Sequence, residues 1–405
     1  MNTETLDQPI VADVAVSAPA VVIESATPAV AAVAEGPNPF IALGLDGALV
    51  RAVSDLGYTQ PTEVQAKVIP LAMGSGKADE ASIDLMVSSQ TGSGKTAAFL
   101  LPVLNTLIAQ KAIEAAAEQA EFERQRAQAA ASGEAAPKRA KRKNPMQSRN
   151  FKAAVPGALV LCPTRELAQQ VAQDAIELVK HCKNLRVANV VGGMPYQLQI
   201  AKLQNADLVV ATPGRLLDLQ RSLQIKLDKV QFLVVDEADR MLDLGFADDL
   251  EEVHQMTAQR KQTMMFSATF APRIQQLAMR VMHDGGANVQ KITIATPQQG
   301  HDNIQQKLYW ADHAQHKRKL LDHWLRDTTI NQAIVFASTQ VECDGLAQDL
   351  AEAGFSAAAL HGALSQGLRN RRLRALREGQ IQILVATDVA ARGIDVPTIT
   401  HVFNY

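Results

Sequence analysis

The chain has 405 residues, 47% of them hydrophobic and 20% charged, with a net charge of −2 at pH 7. That length accommodates two domains of ordinary size plus tails, and the near-neutral charge excludes a globally basic nucleic-acid binder while leaving local basic patches open. The three cysteines, Cys162, Cys182 and Cys343, match neither the Cys-x-x-Cys spacing of zinc sites nor a disulfide framework, which points to a reduced, cytoplasmic compartment.

Residues 1–37 form an Ala/Val/Pro-rich, low-complexity stretch expected to be a disordered tail. Its start, Met-Asn-Thr-Glu, lacks the positive charge of a secretory signal. Asp13, Pro19, Glu24 and Pro28 interrupt its apolar run, so it does not reach the ~20 residues of a membrane span and no membrane partner is expected. From 83 onward short apolar runs at 83–89, 158–163, 187–191, 207–212, 232–236 and 263–267 read as strands. Helical patterns fill much of the space between them, one after Lys95 and one from Arg165 to Lys180. This alternation predicts a doubly wound α/β domain over 38–284.

Within that domain, 110–150 reads as a surface insertion. An Ala/Glu/Gln helix-forming stretch runs there into the basic Pro-Lys-Arg-Ala-Lys-Arg-Lys of 137–143. Those cations are either a solvated loop or an auxiliary RNA-contacting arm. Gly285, Gly286, Pro297 and Gly300 mark 285–304 as a linker. A second alternation occupies 305–405, with strands near 306–311, 332–337, 356–361, 382–387 and 400–404. Its helices are expected near 314–326, 341–353 and 366–377.

Two segments carry the chemistry. Ser-Ser-Gln-Thr-Gly-Ser-Gly-Lys-Thr at 88–96 follows a strand and opens a helix. Thr91, Gly92, Ser93 and Gly94 let backbone N–H groups converge on phosphate oxygens, where the helix dipole also favours anions. Lys95 is suited to reach the β- and γ-phosphates and Thr96 to hold Mg2+. Ser89 stands where the general pattern has Gly. Val-Val-Asp-Glu-Ala-Asp at 234–239 ends a second strand, placing Asp236 to hold the metal and Glu237 to orient and deprotonate a water. Adjacent carboxylates alone usually mean a solvated loop; their place downstream of a P-loop makes them candidates for nucleotide cleavage, with ATP and Mg2+ as the cofactors.

Asp236-Glu237-Ala238-Asp239 spells the signature of the DEAD-box RNA helicases, and the remaining motifs resemble that family in order. Gly57-Tyr58-Thr59-Gln60-Pro61-Thr62-Glu63-Val64-Gln65 is similar to its adenine-reading motif, with Phe40 as the upstream aromatic. The resemblance implies that Gln65 pairs with the adenine edge and that Phe40 stacks on the base. Pro163-Thr164-Arg165-Glu166-Leu167-Ala168, Gly192-Gly193 and Thr212-Pro213-Gly214-Arg215 resemble the RNA-facing motifs. They imply Pro163, Thr164, Arg165, Gly193, Thr212, Gly214 and Arg215 as RNA contacts.

Ser267-Ala268-Thr269 resembles the motif that links hydrolysis to unwinding, with the hydroxyls of Ser267 and Thr269 bonded to the 236–239 loop. In the second domain Ile334–Thr339, His361-Gly362, Gln366-x-x-Arg369 and Ala386–Asp395 continue the match, with Ala363 where relatives carry an acidic residue. By resemblance Arg369, Thr387 and Asp388 face RNA and Gly393 and Asp395 face the nucleotide, while His361 reads as an ordinary strand-end histidine.

The resemblance implies two RecA-like parallel-sheet domains in tandem, and an ATP-dependent helicase that binds single-stranded RNA and separates short duplexes without sequence preference. It also implies partners in ribosome assembly or RNA decay. The family's sixth motif, His-Arg-x-Gly-Arg-x-Gly-Arg, has no counterpart before Tyr405. The expectation is therefore a second domain incomplete at its C-terminus and slow hydrolysis, since an arginine finger contributes about 10³–10⁵ in rate. The alternative expectation is an ATP-binding RNA clamp or annealing protein with little turnover.

Overall fold

A computed structural model describes residues 38–74, 83–90, 92–132, 152–294, 305–391, 394 and 396–405. The expected tail at 1–37, the basic run at 137–143, Thr91, Gly393 and Asp395 lie outside the described residues.

Seven parallel strands form the first sheet in the order β3-β4-β2-β5-β6-β1-β7. They are β1 (Leu85–Ser88), β2 (Ala158–Leu161), β3 (Val187–Val190), β4 (Leu208–Ala211), β5 (Phe232–Val235), β6 (Gln262–Ser267) and β7 (Gln290–Thr293). The central strands β2, β4 and β5 are continuous runs of Val, Leu, Ala and Phe buried along their whole length, the pattern a helix-covered parallel sheet requires. One face packs α1 (Gly47–Asp55), α2 (Glu63–Met73), α3 (Lys95–Ser132) and α4 (Arg165–Leu178) into one core cluster. The other packs α5 (Tyr196–Leu203), α6 (Pro213–Arg221), α7 (Ala238–Asp243), α8 (Ala247–Met256) and α9 (Pro272–Val281) into a second.

Local chemistry fixes where the helices start. Thr62 and Gln65 form a reciprocal capping box at α2, and the Thr164 hydroxyl accepts from Leu167 N at 3.3 Å to cap α4.

The second sheet has the order β11-β8-β10-β9, again all parallel, with β8 (Ala333–Ala337), β9 (Ala357–Leu360), β10 (Ile383–Thr387) and β11 (His401–Asn404). Four helices accompany it: α10 (Ala314–Leu325), α11 (Gln340–Glu352), α12 (Gln366–Arg377) and α13 (Asp388–Ala391).

Three features differ from expectation. The stretch 285–304 does not read as linker throughout, because β7 pairs with β1 in parallel register, Ile292 opposite Val87. Only Ile292 of its four residues is buried, so this edge strand has no apolar run to announce it. Residues 306–311 form no strand. They pair with neither edge of the second sheet among the described residues, and Trp310 is 84% exposed.

The third difference is α3, which continues without a break through the first part of the expected insertion, 38 residues or about 57 Å. Gln110 and Gln231 exchange amide hydrogen bonds at 2.8 and 3.0 Å, and Lys111 pairs with Asp207 at 2.9 Å, which ties the point where the helix leaves the sheet. By length and composition α3 is apolar enough to cross a membrane, but half of that window is buried inside the fold.

Candidate functional site

Loops at the C-terminal ends of the first sheet divide into two adjacent groups. β5, β6 and β1 are neighbours, and after them come the Asp236-Glu237 pair, Ser267 and the phosphate loop. β3, β4 and β2 are the next neighbours, followed by Gly192-Gly193, Thr212 and Thr164. Ligands of open parallel sheets bind at this edge.

In the phosphate loop Gly92 and Gly94 have φ of 82° and 89°, the left-handed region that L side chains rarely adopt. Lys95 is buried and its Nζ donates to the Ser89 carbonyl at 3.2 Å. The loop is held to β6 by Ser89 N donating to Ser267 O at 3.1 Å and Ser88 Oγ donating to Ala268 O at 3.0 Å. Among the described residues the buried hydroxyls of Ser89 and Ser93 have no partners, so this cradle has donors to spare for phosphate oxygens. Thr96 follows in the first turn of α3, half-buried.

Gln65 is buried and its amide is engaged at both ends. Its Oε1 accepts from Thr62 N at 3.0 Å and its Nε2 donates to the Gly94 carbonyl at 3.1 Å. It thus couples the start of α2 to the phosphate loop. A Cβ on Gly94 would lie 2.6 Å from Gln65 Nε2 at a backbone φ closed to alanine. Gly94→Ala is therefore expected to weaken ATP binding roughly tenfold, read by titration with a fluorescent ATP analogue. Phe40, expected to stack on the base, is 0% exposed in the core beneath α1 and α2, so its ring offers no open face here. Its apolar bulk is satisfied by packing.

Asp236 and Glu237 are both buried at the mouth of β5. Glu237 has φ 50°, uncommon for a residue with a Cβ, and its N–H donates to Asp236 Oδ1 at 2.9 Å, which holds that backbone. Arg240 Nη1 pairs with Glu237 Oε2 at 2.9 Å. Burial pushes the Asp236 carboxyl up to about 7, against the opposing pull of Lys95. Burial also raises Glu237, with Arg240 and Lys95 opposing.

The sign for Asp236 follows from linkage. A raised folded-state pKa contributes stability below the usual carboxylate range, and that stability is lost as pH rises towards 7. Asp236→Asn keeps an acceptor for Glu237 N and removes the charge. The ligand-free variant is expected to be more stable than the parent at pH 8, on the order of 3 kcal/mol, and equal to it near pH 3.5. Urea unfolding across that range checks this, and parallel curves for the two proteins would contradict it.

Ser267 is buried, and its Oγ accepts from Thr269 N at 3.5 Å, while Thr269 is exposed. The expected bonds to the 236–239 loop are not made among the described residues. Ser267 instead braces the phosphate loop through its carbonyl.

On the second group of loops, Pro163 and Thr164 are buried. Gly193, at φ 77°, lies so close to Arg165 that a Cβ there would sit 2.8 Å from its Nη1. Thr212 stands at the N-cap position of α6 without a side-chain cap bond, Gly214 is exposed, and Arg215 sits over the Tyr196 ring at 5.6 Å.

Arg369, expected on RNA, is buried and pairs with Glu166 at 2.7 Å. Gln366 Nε2 donates to the same carboxylate at 3.1 Å. The guanidinium is thereby committed to a contact between α12 and α4. Glu166 and Tyr196 are the residues sequence reasoning did not single out. A glutamate in a first helical turn reads as a dipole partner, and a lone tyrosine as packing. Thr387 ends β10 half-buried and Asp388 is exposed at the start of α13. His361, expected to be an ordinary strand-end histidine, follows β9 buried, with Nε2 meeting Asp344 at 2.9 Å and Nδ1 without a partner among the described residues.

The DEAD/DEAH box helicase profile matches residues 62–277, and the helicase conserved C-terminal domain profile matches 315–405. ATP-dependent RNA helicase SrmB of Escherichia coli is 38% identical over 90% of this chain and 72% of its own length. ATP-dependent RNA helicase DeaD of Mycobacterium tuberculosis is 37% identical over 90% of this chain, which spans only 55% of that relative. Among solved structures, Saccharomyces cerevisiae Dbp5 bound to RNA and ADP BeF3 superposes with a TM-score of 0.71 at 29% identity, covering 91% of this chain and 81% of that one.

Proposed function

The chain belongs to the DEAD-box helicases, and from that premise we propose that it is an ATP-dependent RNA helicase that binds single-stranded RNA and separates short duplexes. One observation carries the reading. The phosphate loop and the carboxylate pair occupy the ends of β1, β6 and β5, while Thr164, Gly193 and Thr212 occupy the ends of the adjoining β2, β3 and β4. Nucleotide and RNA thus share one sheet edge.

Lys95 and the glycine-lined loop bind the triphosphate, and Gln65 ties that loop to α2. Glu237 takes a proton from the attacking water. Thr96 and Asp236 would hold Mg2+. The fit rests on the Asp236 carboxylate, whose charge burial disfavours until a cation offsets it, at the same sheet edge as a phosphate loop whose Ser89 and Ser93 hydroxyls have no partners among the described residues. Among the described residues no cluster of three metal-ligating side chains exists, which suits a cation completed by phosphate oxygens and water. Bound there, it would neutralise charge on the β- and γ-phosphates.

Arg165, Gly214 and Arg215 contact the sugar-phosphate backbone, which gives binding without sequence preference. The cytoplasm is the compartment of this reading, in accord with three unpaired cysteines.

ATP turnover with and without single-stranded RNA tests the proposal, with Glu237→Gln as control. Stimulation by RNA that the control abolishes supports it. ATP bound without turnover in either case would instead favour a clamp.

A further inference from the structure

We propose that Tyr196 is a positioning residue that aims the Arg215 guanidinium at an RNA phosphate, an inference that rests on the reading of Arg215 as an RNA contact. Arg215 follows the N-terminus of α6, and Tyr196 opens α5 just after the Gly192-Gly193 loop. The guanidinium lies 5.6 Å from the centre of the Tyr196 ring, within the range of a cation–π contact. The ring is itself pinned. Its hydroxyl hydrogen-bonds to Ser222 Oγ, and Ser222 Oγ donates to the Asp218 carbonyl at 2.7 Å.

Among the described residues Arg215 has one other partner, Asp218, whose carboxylate stands 3.8 Å from Arg215 Nε and is 61% exposed. At that distance the ion pair is loose, and exposed pairs of this kind hold a side chain weakly. The Tyr196 face is thus the element that limits where the guanidinium can go. A guanidinium held over a ring face makes no hydrogen bond to that ring, so its N–H donors stay available, and those are the donors that recognise phosphate. The tyrosine packs against the core below and the arginine lies above it, so the pair bridges the loops after β3 and β4. RNA crossing one loop would be presented with an arginine whose position is set by the other.

The test is RNA affinity as a function of salt for Arg215→Ala, Tyr196→Leu, Tyr196→Phe and the Arg215→Ala/Tyr196→Leu double variant. Leucine fills the core-facing volume without a ring face, and thermal unfolding verifies that each variant folds. Arg215→Ala is expected to weaken binding about tenfold and to reduce the salt slope by roughly 0.7, one single-strand phosphate contact. Tyr196→Leu is expected to weaken binding about two- to fivefold, with the slope moving towards that of Arg215→Ala. The phenylalanine variant should stay within about twofold of the parent because it keeps the face. In the double variant the tyrosine change should add nothing.

Parental affinity and slope in Tyr196→Leu beside a weakened Arg215→Ala would overturn the inference alone. So would full additivity in the double variant. Parental binding by Arg215→Ala would overturn the RNA-contact reading and the inference with it.

Discussion

Glu237→Gln is expected to slow RNA-stimulated ATP turnover by about 10²–10⁴, the contribution of a positioned general base, while leaving ATP binding close to that of the parent. Glutamine matches the size of glutamate and keeps an oxygen for Arg240, now 2.9 Å from Glu237 Oε2. The left-handed backbone at 237 is fixed by Asp236 Oδ1 accepting its N–H, a bond the substitution does not touch. What the variant loses is the ability to take a proton. Burial raises the Glu237 carboxyl above its ordinary value, and Arg240 and Lys95 oppose that rise. The parent's turnover should therefore fall on the acid side at a pH above that of a free glutamate. Steady-state kinetics across pH, with ATP affinity measured separately, separates the two effects. A variant that turns over ATP at the parental rate would remove Glu237 from the chemistry.

What could be read from the residues follows the physics of each part. The parallel strands were legible because strands buried on both faces must be continuous apolar runs, as Phe232–Val235 and Leu208–Ala211 are. β7 was not, since its single buried residue carries no periodicity. The phosphate loop was legible because its glycines are demanded by backbone geometry, seen in the φ of Gly92 and Gly94. Side chains whose partners lie far along the chain were not. Arg369 meets Glu166 across about half the sequence, and nothing local in either helix marks the pairing. Gln65 shows the same limit in milder form. Its capping-box role is local and visible, whereas its bond to the Gly94 carbonyl depends on how α2 docks against the phosphate loop.

That pairing of Arg369 and Glu166 supports the second large effect. Glu166 Oε1 receives both Arg369 Nη2 at 2.7 Å and Gln366 Nε2 at 3.1 Å, and the side chains of the ion pair are 8% and 6% exposed. Removing one partner of a buried pair costs about 3–5 kcal/mol, because the other charge stays desolvated. Arg369 Nε already lacks a hydrogen-bond partner among the described residues, so Glu166→Ala would leave the guanidinium with little compensation. The chain has a cheaper response than tolerating that charge. α4 belongs to the first sheet and α12 to the second, so parting the two helices hydrates Arg369 without unfolding either sheet. The cost should therefore appear as lost apposition of the two sheets rather than lost fold.

If RNA and ATP bind across that apposition, Glu166→Ala should lower RNA affinity in the presence of a non-hydrolysable ATP analogue by ~10²-fold. RNA affinity without nucleotide should change little. Arg369→Ala should do the same, and the exchanged pair Glu166→Arg/Arg369→Glu should recover part of the loss. Equal RNA affinities for parent and Glu166→Ala with the analogue bound would mean that this contact does not couple the two sheets. A drop of the same size without nucleotide would place Glu166 on the RNA face itself.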